Sequence, residues 1–169
     1  MKTFVLLFLC LSSFATKLSF AHDGKSHKKK DNHAEVKKVE VADENLSGEK
    51  NKIINELYIE NVRPIFVTKC FNCHGSKTNF PWYYSLPLVK NMINHDIKEA
   101  KEHIDMSDDF PFKGHGTPKE DILAIKKSAI KDSMPPFAYN IMHRNHRLNK
   151  DDQLKMIEWA EKSLEILNK

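Results

Sequence analysis

The stretch Cys70-Phe71-Asn72-Cys73-His74 decides how the rest of this 169-residue chain is read. It is a Cys-x-x-Cys-His run, and each residue type in it has a physical job. Two thiols separated by two residues can reach one edge of a porphyrin, where they add across its two vinyl groups as thioethers. The His that follows falls under the ring, where its imidazole can bind iron from the proximal side. The run therefore predicts one covalently attached c-type haem, with Cys70 and Cys73 as thioethers and His74 as proximal ligand. Two other chemistries use a Cys-x-x-Cys pair. A zinc site needs two more ligands. The remaining cysteine is Cys10, near the N-terminus, so His143 and His146 would have to serve, and these follow a Met-Pro-Pro turn instead of lying on a finger helix. A thioredoxin-like site needs a preceding strand in a βαβ context, and the sequence offers neither.

Residues 1–21 read as a signal peptide. Lys2 precedes an apolar run from Phe4 to Phe14, and Ser19-Phe20-Ala21 places small residues for cleavage after Ala21. Leu9 before Cys10 counts against a lipoprotein. The apolar run is too short for a comfortable membrane span, so no integral span is expected once it is removed. Export to the periplasm fits the motif, because covalent haem attachment takes place outside the bacterial cytoplasm. The mature chain, about 148 residues, would keep only Cys70 and Cys73, so no disulfide framework explains them.

Residues 22–50 hold seven lysines, seven acids, no aromatic residue and one Leu. Such a segment buries too little apolar surface to offset its ordering entropy and is expected to be a disordered tether. Its His22, His27 and His33 offer at most a weak metal-capture or docking arm. Residues 51–169 form the expected domain, with 18 basic and 16 acidic side chains. The formal charge of +4 includes Lys2 and Lys17 of the leader. This balance argues for neither nucleic acid nor an anionic membrane. No repeat is present, so one haem and a monomer are expected.

The domain reads as all-α. Ile53, Ile54, Leu57, Tyr58, Val62, Ile65 and Phe66 recur at helical spacing, with Ser47 as a possible N-cap. Pro64 should break this helix near Val62 or Arg63 and start a fresh turn that presents Cys70. Residues 78–87, with two prolines and four aromatics, read as a packed loop. Leu88 to His103 reads as a helix with Leu88, Met92, Ile93, Ile97, Ala100 and Ile104 on one face, followed by a loop from Asp105 to Gly116. Thr117-Pro118-Lys119-Glu120 supplies an N-cap, a first-turn proline and an acid for a helix carrying Ile122, Leu123, Ile125, Ala129 and Ile130. Asn149-Lys150-Asp151-Asp152 opens the last helix, with Leu154, Ile157, Trp159, Leu164 and Leu167 inward and Trp159 within reach of the N-terminal helix.

The second face of the iron decides between electron transfer and reaction with outside ligands. Met134, in Ser133-Met134-Pro135-Pro136, is the candidate distal ligand. A thioether is soft and neutral and favours ferrous iron, and the prolines stiffen its loop. His95, His103, His143 and His146 compete for the position. Met92, Met106 and Met142 lack a comparable rigid flank.

These residues in order carry a resemblance. Val62-Arg63-Pro64-Ile65, the Cys70–His74 motif, a Met-Pro turn and an amphipathic last helix resemble class I cytochrome c. More closely, Pro81-Trp82-Tyr83, Pro87, His95, Ser107, Met134-Pro135, Tyr139, His143 and Glu158-Trp159-Ala160 resemble the small bacterial haem-binding domain family, over about residues 53–163. The resemblance implies a monohaem, all-α cytochrome c-like domain wrapped around its haem, with His74 proximal and Met134 distal. The chain departs from that pattern at Gly75, where Ser is common, and at Ala100-Lys101, where a Gly-Arg pair is common.

The expectation is thus a periplasmic electron carrier with His/Met ligation, meeting an unidentified redox partner protein at a small transient interface. The rival is a five-coordinate haem sensor or peroxidase-like protein, with His143 and Arg144 near the distal face.

Overall fold

The computed structural model describes residues 33–169. The expected leader, with Cys10 and the cleavage point at Ala21, lies outside them, as do His22 and His27. The chain runs through α1 (His33–Asn61), α2 (Arg63–Lys69), α3 (Phe71–His74), α4 (Pro87–His103), α5 (Pro118–Lys131), α6 (Phe137–Met142) and α7 (Lys150–Asn168). Short 3-10 turns cover Trp82–Ser85 and Arg144–His146. No strand occurs among the described residues, and the all-α expectation holds. Nor is any described helix long and apolar enough to cross a membrane.

The first helix begins well before Ser47, which is therefore an interior residue and not a cap. Ala34, Glu35, Lys37, Lys38 and Glu40 are good helix formers, and a chain already helical at Ile53 extends back through them at little cost. Part of the segment expected as tether is thus helical. Pro64 acts as anticipated: α1 stops at Asn61, Val62 caps a new helix, and Pro64 sits in its first turn, where its missing N–H is not needed.

Ile54, Tyr58 and Val62 recur every four residues and, with Ile65 and Phe66, form one wall of the core. Ile122, Ile125 and Ala129 of α5 and Met156, Trp159 and Ala160 of α7 form the opposite walls. Helices α5 and α7 are antiparallel. Lys119 at the start of α5 donates to Asn168 at the end of α7, and Lys126 pairs with Glu161 at 2.9 Å. At the other end, Asp132, in the left-handed conformation that closes α5, accepts from Gln153 at 2.9 Å. Both helices open on complete capping boxes, Thr117 with Glu120 and Asn149 with Asp152. Trp159 does meet the N-terminal helix: its ring lies 5.9 Å from Tyr58, and its indole N–H points at the Ile54 carbonyl.

The expected loop after α4 forms, and it also belongs to the core, because Met106, Phe110 and Phe112 from it are buried. Phe112 stands edge-on to Tyr58 at 5.3 Å, and Arg63 pairs with Asp109 at 2.7 Å, so the loop closes the core against α1 and α2. Conversely, Leu88, Met92 and Leu154 are exposed, as are Phe80 and Trp82 of the segment expected to be a packed loop. For Leu88, Met92, Phe80 and Trp82 the cause is the placement of α4. It packs chiefly on α3 and the Trp82–Ser85 turn, away from the main core, and buries no side chain fully.

Candidate functional site

Cys70 ends α2 and caps α3, so the motif occupies a single fresh turn. The N–H groups of Cys73 and His74 both donate to the Cys70 carbonyl, at 3.1 and 3.0 Å. This brings residues three and four apart onto one face, which places both sulfurs and the imidazole together. Gly75 follows because the chain leaves the turn against Phe71: a Cβ there would lie 2.7 Å from the Phe71 Cβ. The departure from Ser at this position therefore has a packing reason within this chain.

Neither cysteine is in a disulfide. Burial pushes the Cys70 thiol up to about 12 and raises Cys73 as well, with the mutual repulsion of their thiolate forms adding to the effect at Cys70. Burial thus favours the neutral form of both thiols. His143 and His146, which a zinc set would need, pair with tyrosines instead. No group of three metal-binding side chains converges among the described residues.

His74 Nδ1 donates to the Ile104 carbonyl at 2.7 Å. This fixes the tautomer and leaves Nε2 with its lone pair, the state in which an imidazole binds a metal. Burial lowers the His74 pKa and so favours the neutral ring, against opposing backbone hydrogen bonds at Ile104 and Ala100. The His74 carbonyl in turn accepts from the Met106 N–H at 2.8 Å. The loop from Ile104 to Met106 therefore orients the ligand from two sides.

Asn72, between the two cysteines, fastens the distal half of the chain. Its Nδ2 donates to the Tyr139 hydroxyl at 2.8 Å, and that hydroxyl also lies 2.7 Å from His146 Nδ1. Its carbonyl and Oδ1 accept from Thr78 and Asn79. His143 stacks on Tyr139 with centroids 4.1 Å apart, and its Nε2 lies 3.3 Å from the Tyr83 hydroxyl. Burial, with His143 and Lys69 nearby, lowers the His146 pKa and favours its neutral ring as a hydrogen-bond partner. Sequence reading missed Asn72 as a fastener and counted His146 only as a competing ligand. A polar residue inside the motif, with a Tyr and two His downstream, was the available signal.

Cys70, Cys73 and His74 share one helical turn. Met134 does not join that turn directly. It is about half exposed, at a turn whose Pro135 carbonyl accepts from Asn140 at 2.8 Å, and it leads at once into α6, which Tyr139 ties to Asn72. Among the competing residues, Met106 is buried in the core, and Met92, Met142 and His95 are exposed. His143 is engaged with Tyr83 and Tyr139, and His103 with His115. Arg144 is exposed and lines an open hollow of about 410 Å³ with Ile141, Met142, His143 and His146.

The three segments fastened to the motif carry six exposed apolar side chains: Trp82, Leu88, Met92, Phe137, Ile141 and Met142. Exposed apolar side chains gathered near one motif are the kind of surface that a bound group covers. Two cysteines and a tautomer-locked imidazole on one turn, with exposed apolar side chains on the neighbouring segments, fit a flat iron macrocycle. A family model described as a haem-binding domain matches residues 33–162. No curated protein and no solved structure matches the chain.

Proposed function

The chain belongs to the haem-binding domain family, and from that premise we propose that it is an exported monohaem c-type cytochrome that passes single electrons. In this reading Cys70 and Cys73 hold the haem through thioethers, His74 binds the iron from the proximal side and Met134 from the distal side. The bound group supplies one-electron chemistry that no side chain offers. The observation that carries the reading is the single turn of Cys70, Cys73 and His74, with His74 Nδ1 locked on the Ile104 carbonyl at 2.7 Å.

The remaining residues supply orientation and exclusion of water. Ile104 holds the proximal ring, so its ligating nitrogen keeps one direction through both oxidation states. The Met134-Pro135-Pro136 turn holds the thioether on a short, stiff segment. Asn72 and Tyr139 keep α6 against the motif, and Trp82, Leu88, Phe137 and Ile141 present apolar surface to the macrocycle. A domain with near-balanced charge meets its redox partner with little electrostatic steering.

The test is the absorption spectrum of the exported, purified protein, oxidised and reduced, with and without carbon monoxide. Covalent haem with a far-red sulfur-to-iron band and no carbon monoxide response is expected. Covalent haem that lacks the band and binds carbon monoxide would instead favour the five-coordinate sensor or peroxidase reading. Failure to retain haem covalently would overturn both.

A further inference from the structure

A second pair of imidazoles meets away from the Cys70–His74 turn. His115 Nε2 lies 2.7 Å from His103 Nδ1, with ring centroids 4.7 Å apart and planes at 78°. Both residues are exposed. Two long-range exposed side chains rarely hold one geometry without support, because ordering them costs rotamer entropy. Here the support is in the backbone. Asp105 and Lys113 exchange N–H and carbonyl hydrogen bonds at 2.6 and 2.9 Å, as an isolated antiparallel bridge. The His115 N–H then donates to the Glu102 carbonyl at 3.1 Å. Between these contacts Gly114 adopts φ 126°, and a Cβ there would lie 2.6 Å from the His103 carbonyl. Only glycine lets the chain pass this close to the end of α4.

We propose that His103 and His115 form a surface site for a divalent transition metal of the imidazole-binding class, zinc or copper. The two facing nitrogens already aim at one point. Ligand nitrogens about 2.0–2.1 Å from a tetrahedral metal stand roughly 3.3 Å apart, so the exposed rings need only a small rotation. Both rings stay neutral on binding: the ring that donates in the pair moves its proton to its other nitrogen. The carboxylates of Glu120 and Asp121 lie within electrostatic reach of His115 and favour a cation there. No third His, Cys, Asp or Glu completes the set among the described residues. Water therefore fills the remaining positions, and the metal exchanges with solvent, unlike one in a closed structural site. Copper(II) should bind more tightly than zinc, following the usual order for nitrogen ligands. The proposal stands apart from the haem reading, since neither residue ligates iron in it.

The experiment uses the haem-loaded full chain with His22, His27 and His33 changed to Ala, which removes competing imidazoles from the N-terminal segment. Copper(II) and zinc are titrated separately by calorimetry, with electron paramagnetic resonance on the copper form. One equivalent of copper with hyperfine coupling to two imidazole nitrogens is expected. His103→Ala and His115→Ala in that background should each weaken binding at least tenfold and remove the two-nitrogen signature. His115→Gln can still donate to His103, so it should keep the fold and lose the metal. Unchanged titration in these variants, or an absence of stoichiometric binding in the parent, would overturn the proposal. A changed haem ligand-field spectrum in His103→Ala would also overturn it, by making His103 a haem ligand.

Discussion

Met134 carries the sharpest consequence for a single side chain. If its sulfur closes the second face of the iron, Met134→Ala should remove the far-red band and open the reduced protein to carbon monoxide. Its half-exposed position means the fold should survive, with melting measured on the same sample. Tyr139 is tested differently. Tyr139→Phe deletes the hydroxyl that Asn72 and His146 share, and loss of a part-buried hydrogen bond costs about 1 kcal/mol, readable by chemical denaturation. Asp121 gives a pH signature. Burial first, then the neighbouring Glu120, raises its pKa from 3.8 to about 6. The folded state therefore holds this proton more tightly than the unfolded chain. Its contribution to stability is greatest below about pH 4 and is lost as pH rises through about 6. Asp121→Asn should flatten that slope and stabilise the protein at pH 7, read as a higher denaturation midpoint at pH 7 than at pH 4 relative to the parent. At this scale the shared turn of Cys70, Cys73 and His74 was legible, because residues three and four apart meet through local backbone geometry alone. The contacts of Asn72 with Tyr139 and His146 were not, because hydrogen bonds between residues about 70 apart leave no periodic trace. His115 escaped because an irregular loop, with no period of its own, returns it to His103.

Element boundaries were readable wherever local chemistry sets them. Pro64, the Thr117-Pro118 start and the Asn149 cap all fall where the sequence places them. What eluded the sequence was burial in irregular backbone. Residues 105–116 carry Asp, Gly and Pro, the usual marks of a solvated turn. Yet Met106, Phe110 and Phe112 fill the space between α1, α2 and α7, and no period of 3.6 or 2 announces them. Phe112→Ala should therefore behave as a core truncation, with a loss of about 3–5 kcal/mol in denaturant unfolding. A loss under 1 kcal/mol would mean that the loop is peripheral. The opposite error occurs on α4, where Leu88 and Met92 fit a helical stripe but find no protein to pack against. Periodicity identifies an apolar face; it does not identify what covers that face.

Two assemblies share this chain. Helices α1, α2, α5 and α7, with Phe110 and Phe112, have a core of interlocking aromatic rings. The motif, α4, the Trp82–Ser85 turn and α6 are joined by a few polar fasteners around a largely exposed apolar wall. The first assembly should persist without haem. Amide exchange on haem-free protein should be slow in α5 and α7 and fast in α4 and α6, and haem loading should slow the latter pair. Uniform protection before loading would refute that division. The all-α class was legible from composition and period together, whereas the separation into two assemblies was not, since it depends on which stripes find partners. The division also sets an order of events in the life of the protein. Under the proposed covalent attachment, the joining machinery would have to reach two thiols on a turn that α4 packs against and α6 is tied to. A half that folds by itself would keep the chain compact while the other half stays open to that machinery. Maturation then becomes a docking step onto a finished scaffold.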